Sequence, residues 1–378
     1  MRILFVLENY LPHIGGVEIL FKNLSESLVK KGHEVDLVTH RLKGTKKNEV
    51  INGVNVYRVN CLHNRYLFTF LAIPKVLSLA KKSDLIHGTI FNGAFPTWFA
   101  SKVLRKKSVL SVHEVWVGKW KQLTEMSGFN AWIHDILERM IYVLNFDKYI
   151  TISDSTTNQL KGVGKTDSHI EQVYCGVDYD HWNSKKYDGI KIKKDLGLNN
   201  HFVYLFTGRP GFSKGLEYLI KAVPEISKNI PNAKFLALVS KDKDYKKRYD
   251  YILKLIDELG IKDKVIMHDP VPYNELPNYI KAADCVVVPS LAEGFGFTTA
   301  EACAMGKPVV ASNTTSLPEV VSGNYVLVKP KSFAGIAKGV EMVYNNKTLY
   351  RPFRKFGLNN FLDGYIQVYK NLLKLKRK

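Results

Sequence analysis

A strand, loop, helix and strand in succession at the start of the chain restrict the folds open to it. Residues 2–8 form an apolar run, Gly15 and Gly16 follow in a loop, and apolar residues then recur at helical spacing. Gly32 ends this pattern, and residues 33–40, HEVDLVTH, are predicted as a second strand. Such a pattern predicts a β-α-β unit, whose two strands are parallel and joined by a right-handed crossover.

The same alternation continues along the chain and falls into two halves. With 378 residues, of which 46% are hydrophobic, the chain has the length of two domains. A polar, turn-rich segment over residues 176–200 separates the two sets of apolar runs. We predict an α/β fold of two Rossmann-like, doubly wound parallel-sheet domains facing a central cleft, at 1–183 and 184–352, with a terminal helical segment at 353–378.

The charge of the chain favours an anionic partner. Lys and Arg number 55 against 35 Asp and Glu, which gives a net charge of +20. Nucleic acid, an acidic membrane surface and a phosphorylated substrate all fit this charge. Because the basic clusters are short and do not alternate with an aromatic platform, we predict that nucleic acid is not the partner.

Cysteine spacing and hydropathy exclude other classes. The four cysteines show no Cys-x-x-Cys pair, so the sequence predicts neither a disulfide framework nor a zinc site. No apolar run reaches the roughly eighteen residues needed to span a bilayer, and the first apolar stretch ends at Glu8, too short for a signal peptide. We therefore expect a cytoplasmic protein.

A glycine-rich loop between two acids is the first candidate site. Residues 293–301 read EGFGFTTAE, between a buried apolar run and a short helical pattern. The free amides of such a turn and the helix dipole suit a phosphate. Glu293 and Glu301 would repel phosphate, but a carboxylate can accept hydrogen bonds from two neighbouring sugar hydroxyls. Taken singly, each acid also fits an ordinary loop or first-turn carboxylate.

A second loop adds two cations at the same predicted sheet edge. Residues 208–215, GRPGFSKG, also follow an apolar run and precede a helical pattern. Arg209 and Lys214 could neutralise a departing diphosphate without a metal ion. Each cation alone also fits a solvated surface position.

Several stretches together resemble the family 4 retaining glycosyltransferases of the GT-B fold, along nearly the whole chain. The stretches are residues 208–215, Glu293 and Glu301 with seven residues between them, 276–290, 306–312, 360–373 and the Gly15-Gly16 loop. The chain departs from the commoner family pattern at 312–330, where a Gly-Gly pair often precedes the Pro-Glu.

The resemblance implies a first domain that binds the acceptor and a second that binds a nucleotide-sugar, with a C-terminal helix that crosses back to the first. It assigns the donor diphosphate to Arg209 and Lys214, the ribose to Glu301 and the transferred sugar to Glu293. Backbone contacts to the donor would come from Phe295, Gly296 and Phe297. The donor, a UDP- or GDP-sugar, would be a co-substrate, with no cofactor.

The first domain supplies further candidates. Glycine at 15 and 16 would let a ligand approach the backbone, although the full dinucleotide-binding spacing is missing. The resemblance places Gly15 and Gly16 near the donor phosphate or the acceptor. His113 follows an apolar run, and the family has a histidine at this strand end near the transferred sugar, which implies a hydrogen-bonding catalytic role. Taken alone, it fits a structural histidine.

Two Asp-x-Asp pairs have the spacing of metal ligands, but their surroundings argue against this role. Asp178 and Asp180 lie in the predicted linker, and Asp242 and Asp244 lie in a Lys-rich loop. We therefore predict no catalytic metal.

The leading hypothesis is transfer of a hexose from a nucleotide-diphosphate sugar to a hydroxyl of a glycan or lipid-linked acceptor, with retention of configuration. The alternatives are an inverting GT-B transferase or phosphorylase, with Glu8 or Glu114 as base, and a catalytically silent nucleotide-sugar binder. A separate hypothesis is peripheral association with an anionic membrane, because residues 65–82 combine an apolar stretch with flanking cations. The other reading of this stretch is a core helix interrupted at Pro74.

Overall fold

The computed structural model of the chain describes residues 1–13, 15–62 and 64–374, without the side chain of Asp244. By internal contacts it divides into a first unit of Met1–Lys121, Met126–Gly176 and Phe356–Lys378 and a second unit of Gln122–Glu125 and Val177–Lys355. The division at 176/177 lies within the polar segment, seven residues before the 183/184 boundary that the sequence suggests. Residues 122–125, from the first half of the sequence, belong to the second unit.

The first unit is built on a twisted sheet whose strands, in the described residues, run in the order β3-β4-β2-β1-β5-β6-β7-β8. All neighbours pair in parallel except β3 and β4. The strands are β1 (Arg2–Val6), β2 (Glu34–His40), β3 (Asn48–Ile51), β4 (Val54–Val59), β5 (Leu85–Thr89), β6 (Lys107–Val112), β7 (Lys148–Thr151) and β8 (Ile170–Gln172). The helices of this part of the chain are α1 (Gly16–Lys30), α2 (Phe68–Leu71), α3 (Ile73–Ala80), α4 (Ala94–Val103), α5 (Trp120–Leu123), α6 (Gly128–Val143) and α7 (Asp154–Gly162).

The predicted β-α-β unit is confirmed at the centre of this sheet. β1 and β2 pair in parallel, and α1 joins them. The helix buries Leu20, Phe21, Leu24 and Leu28, the side chains whose spacing predicts it. Because the strand order reverses between β1 and β5, the loops that follow these strands leave on opposite faces and open a crevice at the carboxyl edge.

The second unit has a similar sheet, with the order β11-β10-β9-β12-β13-β14-β15 in the described residues. Only the β14–β15 pair is antiparallel. The strands are β9 (Phe202–Gly208), β10 (Ala233–Val239), β11 (Val265–His268), β12 (Cys285–Val288), β13 (Val309–Ser312), β14 (Gly323–Val328) and β15 (Leu349–Arg351). The helices are α8 (Ile190–Asp195), α9 (Leu216–Asn229), α10 (Lys246–Glu258), α11 (Leu276–Ala282), α12 (Phe297–Ala304), α13 (Leu317–Val320) and α14 (Phe333–Tyr344).

The reversal of strand order in the second unit falls between β9 and β12, which are adjacent and parallel. The loops that follow these two strands, residues 209–215 and 289–296, therefore leave the same edge of the sheet side by side. Both predicted ligand loops lie here. The helix α9 continues unbroken through Pro224 and buries Leu219, Ile220 and Val223, each contributing about 2 kcal/mol of hydrophobic stabilisation.

The C-terminal helix α15 (Leu358–Lys374) packs in the first unit. Its fully buried Tyr369 hydroxyl lies 2.6 Å from His87 Nδ1, and Tyr365 lies 3.3 Å from the Ser111 hydroxyl. These buried polar contacts fix the register of the helix, because shifting it would leave the groups without partners. None of the described helices is long and apolar enough to span a membrane.

Candidate functional site

The two ligand loops of the second unit are in direct contact. After β9 the chain forms a short 3-10 turn, Phe212–Lys214, and then Gly215 with φ of +67°. A Cβ at Gly215 would lie 2.0 Å from the carbonyl oxygen of Pro289 in the other loop. The Leu291 amide also donates to the Ser213 carbonyl at 2.7 Å. Glycine is therefore required at 215 both for its backbone conformation and for the close approach of the loops.

Lys214 and Glu293 form an ion pair at this junction. Lys214 Nζ lies 2.6 Å from Glu293 Oε1, and the Ser290 hydroxyl donates to the same oxygen at 2.8 Å. The Glu293 side chain is 14% exposed and that of Lys214 is 32% exposed, so solvent reaches both groups. The structure thus brings together two residues that the sequence assigns to different parts of one ligand.

Two hydroxyl side chains that the sequence analysis missed hold the backbone of Glu293. The Glu293 amide donates to Thr315 Oγ1 at 2.9 Å, and the Ser316 hydroxyl donates to the Glu293 carbonyl at 2.9 Å. Thr315 has φ of +45°, a conformation that threonine rarely adopts. Thr315 and Ser316 lie in 312–330, the segment where the chain departs from the commoner family pattern. That departure is the sequence signal that could have identified them.

The glycine-rich turn leads directly into α12. Gly296 has φ of +91°, and a Cβ there would lie 2.8 Å from Leu317 Cδ2, so the turn needs glycine at this position. Phe295 is buried, Phe297 begins the helix, and their rings lie 5.2 Å apart. No side chain among the described residues caps this helix. Its first-turn amides can therefore bind an anion.

Glu301 lies on α12 in a different environment from Glu293. It is 8% exposed, and among the described residues it makes no hydrogen bond and no ion pair. Burial raises the pKa of the Glu301 carboxyl to about 8. A largely buried carboxyl group that no other described residue bonds is open to a hydrogen-bonding partner from outside the chain.

The neighbours of Glu301 include Tyr273. Burial, and secondarily the negative charge of Glu301, raise the pKa of the Tyr273 phenol. The Tyr273 hydroxyl accepts a hydrogen bond from Trp182 Nε1 at 3.1 Å, and its ring stacks on His181 with centroids 4.7 Å apart. Tyr273 therefore lies near the unpartnered acid and is itself held by Trp182 and His181.

Arg209 is the least engaged of the predicted cations. It is partly exposed, and its guanidinium lies 5.8 Å from the centre of the Tyr245 ring. Within the described part of the chain it forms no ion pair. Its positive charge is therefore not neutralised by a neighbouring acid.

In the first unit, His113 follows β6 and is 8% exposed. Its Nε2 is buried without a hydrogen-bond partner among the described residues, and its ring packs edge-on against Phe21 at 6.0 Å. Burial lowers the pKa of His113 to about 4, against a smaller opposing effect of Glu18. The imidazole is therefore neutral at neutral pH and can exchange hydrogen bonds but carries no charge.

The Gly15-Gly16 loop is placed at the start of α1. Gly15 precedes the helix with φ of −157°, an extended conformation open to any residue, and Gly16 is exposed. The backbone conformation at Gly15 thus gives no reason for glycine. Near this loop, His13 Nδ1 lies 3.1 Å from Glu18 Oε1.

The two acids considered for an inverting reaction both have partners. Glu8 contacts Arg65 Nε at 3.1 Å and accepts from Asn92 at 2.7 Å, while burial raises the pKa of its carboxyl. Glu114 accepts from Trp116 Nε1 at 2.8 Å. Each carboxylate thus has a structural contact in the first unit.

The Asp-x-Asp pairs make local contacts where they are described. Asp178 Oδ1 accepts from the amides of Asp180 and His181 at 3.0 and 3.1 Å, and Asp180 pairs with Lys186 at 2.5 Å. Asp242 accepts from the Ser240 hydroxyl at 2.6 Å, whereas the side chain of Asp244 lies outside the described part of the structure.

Most of the chain matches the models of two glycosyltransferase families. The model of Glycosyltransferase Family 4 matches residues 14–181, and that of Glycosyl transferases group 1 matches residues 189–359. An uncharacterized glycosyltransferase of Methanocaldococcus jannaschii is 31% identical over 98% of both chains. A D-inositol 3-phosphate glycosyltransferase of Corynebacterium jeikeium is 28% identical over 82% of this chain and 78% of its own.

Solved structures share the fold at low sequence identity. Sucrose-phosphate synthase of Thermosynechococcus elongatus superposes with a TM-score of 0.78 at 21% identity, covering 100% of this chain and 98% of that one. HepE of Anabaena, in complex with UDP and glucose, gives a TM-score of 0.74 at 19% identity, covering 98% of this chain and 100% of that one.

Proposed function

The chain belongs to family 4 of the glycosyltransferases and has their GT-B fold, and we propose that it moves a hexose from a nucleotide-diphosphate sugar to a hydroxyl acceptor with retention of configuration. One observation carries the donor assignment: the buried, unpartnered Glu301 lies on α12, the helix that begins at the glycine-rich turn, and this turn follows Glu293, which pairs with Lys214. A nucleotide-sugar has hydroxyls on both sides of a diphosphate, and this arrangement offers acids and a cation in that pattern.

The diphosphate would be held by charge and by backbone amides. Lys214 and Arg209 supply positive charge, and the turn over residues 295–297 supplies N-H groups at the start of α12. Because these groups meet the charge of the leaving diphosphate, we propose that no metal is required. In support of a nucleotide-sugar donor, HepE has been crystallised with UDP-glucose.

The ion pair between Lys214 and Glu293 suggests how donor binding prepares the site. A diphosphate competes for Lys214, since the diphosphate of a nucleotide-sugar carries two negative charges in total, against one on a carboxylate. As Lys214 turns to the phosphate, Glu293 loses its cation and becomes free to accept hydroxyl hydrogens of the transferred sugar. Ser290 keeps one Glu293 oxygen in place at 2.8 Å during this exchange.

The proposed transfer proceeds on one face of the sugar. The bond between the anomeric carbon and the phosphate oxygen breaks, and the acceptor oxygen forms a bond to the same carbon on the same face. The acceptor proton passes to the departing phosphate. Glu293 stabilises the positively charged sugar in this step, and the resemblance assigns His113 a hydrogen bond to it, which its neutral state permits.

The acceptor is proposed to be a glycan or lipid-linked hydroxyl compound, presented at an anionic membrane. The supporting feature is an apolar face on α6, formed by Phe129, Trp132, Ile136, Met140 and Val143, which are 38–76% exposed. Their spacing places them on one side of the helix, while its buried residues include the carboxylic acid Glu138. Exposed aromatic and aliphatic side chains of this extent suit a membrane surface.

Part of the stretch that the sequence suggested for membrane contact lies next to α6. Tyr66 and Phe70 are 51% and 62% exposed, and the Tyr66 ring lies 6.3 Å from His134 of α6. By contrast, Phe68 and Val76 are fully buried, so the core-helix reading holds for the inner side of residues 65–82.

Vesicle flotation tests the membrane part of the proposal. The intact protein should float with vesicles that contain anionic phosphatidylglycerol at low salt, and the double variant Trp132→Ser/Met140→Ser should remain in the soluble fraction. Exposed Tyr350 of the second unit, 71% exposed, offers a control as Tyr350→Ser, which should not change flotation. Absence of flotation at both low and physiological salt would reject the membrane surface.

A donor panel tests the reaction itself. UDP-, GDP- and ADP-hexoses are incubated with simple glycan acceptors, and release of the nucleoside diphosphate is measured with and without a chelator. We expect one donor to be turned over, chelator to have no effect, and NMR of the first product to show the donor's anomer. An inverted anomer would reject the retaining mechanism, and tight donor binding without turnover or hydrolysis would indicate a silent binder.

A further inference from the structure

Arg248, a buried arginine outside the predicted site, contacts residues on both sides of Lys214. Arg248 lies on α10 and is 8% exposed. Its two terminal nitrogens bind different acids: one lies 2.7 Å from Glu217 Oε2 and the other 2.7 Å from Glu125 Oε1. Glu217 is as buried as Arg248, whereas Glu125 is 55% exposed. The guanidinium is therefore fixed mainly by Glu217 and is steadied by Glu125 at its open side.

Both ends of the Lys214 turn are in reach of this guanidinium. Glu217 lies in the first turn of α9, two residues after Gly215. Phe212 begins the Phe212–Lys214 turn, and its ring centre lies 5.3 Å from the Arg248 guanidinium, within cation-π distance. One side chain thus holds the residues that flank Lys214 on either side.

Stability alone is a poor explanation for such a pair. Burying an arginine with a carboxylate costs desolvation, and apolar side chains of similar volume usually pack at least as well. A planar guanidinium, however, fixes direction as well as distance, which matters for a neighbouring turn whose lysine must reach a defined point. From this turn Lys214 reaches Glu293 at 2.6 Å, beside the glycine-rich turn where the diphosphate is proposed to bind.

We propose that Arg248 is a positioning residue that holds the Phe212–Lys214 turn so that Lys214 meets the diphosphate of the donor. The inference rests on the proposed function. Arg248 itself touches no substrate: it acts through Lys214. Loss of Arg248 therefore lets the turn relax and weakens the contact of Lys214 with the leaving group.

The kinetic experiment uses the wild-type enzyme with the donor identified by the panel. Arg248→Met should lower kcat/KM for the donor about tenfold or more while KM for the acceptor stays within about twofold. Arg248→Lys, which retains the charge but not the planar fork, should recover part of this loss. Equal effects on donor and acceptor KM would contradict a role at the diphosphate.

A double-mutant cycle separates positioning from general support of the fold. In the Lys214→Met background, Arg248→Met should change kcat/KM less than about twofold, because the lysine that it positions is gone. If the two losses multiply independently, Arg248 does not act through Lys214, and the inference is wrong.

A control breaks a partly buried ion pair elsewhere. Arg2 binds Asp36 through two nitrogens, both at 2.9 Å, in the first unit. Arg2→Met should lower the melting temperature but leave kcat/KM for the donor within about twofold. If Arg2→Met reduces donor kcat/KM as much as Arg248→Met, the effect is a general loss of stability and the inference is rejected. Absence of turnover by the wild-type protein would instead reject the proposed function, on which the inference rests.

Discussion

The buried carboxyl of Glu301 should destabilise the folded protein increasingly as the pH rises above its ordinary pKa. Burial raises its pKa from the ordinary 4.5 to about 8, so between these values the folded chain holds a proton that the unfolded chain releases. The folded state then binds more protons, and the free energy of unfolding falls as the pH rises through this range. Glu301→Gln removes this titration while keeping the shape of the protonated acid.

The size of the effect follows from the interval between the two pKa values. From 4.5 to about 8 is about 3.5 pH units, which amounts to about 5 kcal/mol when the interval is fully crossed. At neutral pH about 2.5 of these units have been crossed, or about 3 kcal/mol. Near pH 5 the cost is only about 1 kcal/mol.

Urea unfolding of wild type and Glu301→Gln at several pH values measures this difference, and the other titrating groups cancel in the comparison. Near pH 8.5 the variant should be more stable than wild type. The difference between the two free energies of unfolding should be about 4 kcal/mol larger there than near pH 5. A stability difference that does not change with pH, or a variant that is less stable at every pH, would refute the claim that Glu301 is buried without a partner.

Three further predictions concern single positions. Gly215→Ala places a Cβ 2.0 Å from the Pro289 carbonyl, so donor turnover should fall at least about tenfold and the melting temperature should drop by several degrees; wild-type values of both would contradict the loop contact. Burial lowers the pKa of His87 to about 3, below its ordinary 6.5, so stability should be complete above about pH 6.5 and decline as the pH falls towards 4. In acid titrations, His87→Gln should reduce this loss of stability with falling pH. An unchanged loss would mean that another group causes it. Tyr369→Phe removes the partner at 2.6 Å from His87 and should cost about 1–3 kcal/mol in urea unfolding, whereas no cost would mean that the contact is not formed.

The two sheets and the two ligand loops could be predicted from the sequence. Apolar runs and helical spacing predict β1, α1 and β2, because these elements are buried in the simple manner that periodicity describes. The glycines at 215 and 296 mark turns that only glycine can form with these neighbours. Loops after adjacent parallel strands must meet at one sheet edge, so the proximity of Lys214 to Glu293 also follows from the predicted order of the elements.

Other features depend on contacts that no local pattern encodes. The ion pair of Lys214 with Glu293 and the missing partner of Glu301 are distinguished only by three-dimensional neighbours, although both acids flank the same turn. Thr315 takes a left-handed conformation and its hydroxyl accepts a hydrogen bond from the Glu293 amide, neither of which propensity would predict.

Helix α6 shows how periodicity can mislead about direction. The regular apolar spacing from Phe129 to Val143 is typical of a core-facing helix, yet these side chains point outward. The inner side holds Glu138, which accepts from the Trp116 amide at 2.9 Å and from Trp120 Nε1 at 2.7 Å. A hydrogen-bonded carboxylate replaces the expected apolar contact, and spacing alone cannot tell which side of a helix a partner covers.

The most direct test of the account is whether Glu301 binds the ribose hydroxyls of the donor. Isothermal titration above pH 8, where the Glu301 carboxyl ionises, compares UDP, or whichever nucleoside diphosphate the donor panel selects, with its 2′,3′-dideoxy analogue on wild type and on Glu301→Gln. The account predicts that removing the hydroxyls weakens binding to wild type about 10- to 100-fold and binding to the variant by less than about threefold. Equal losses on both proteins, or none on wild type, would contradict the assignment of this carboxylate to the donor.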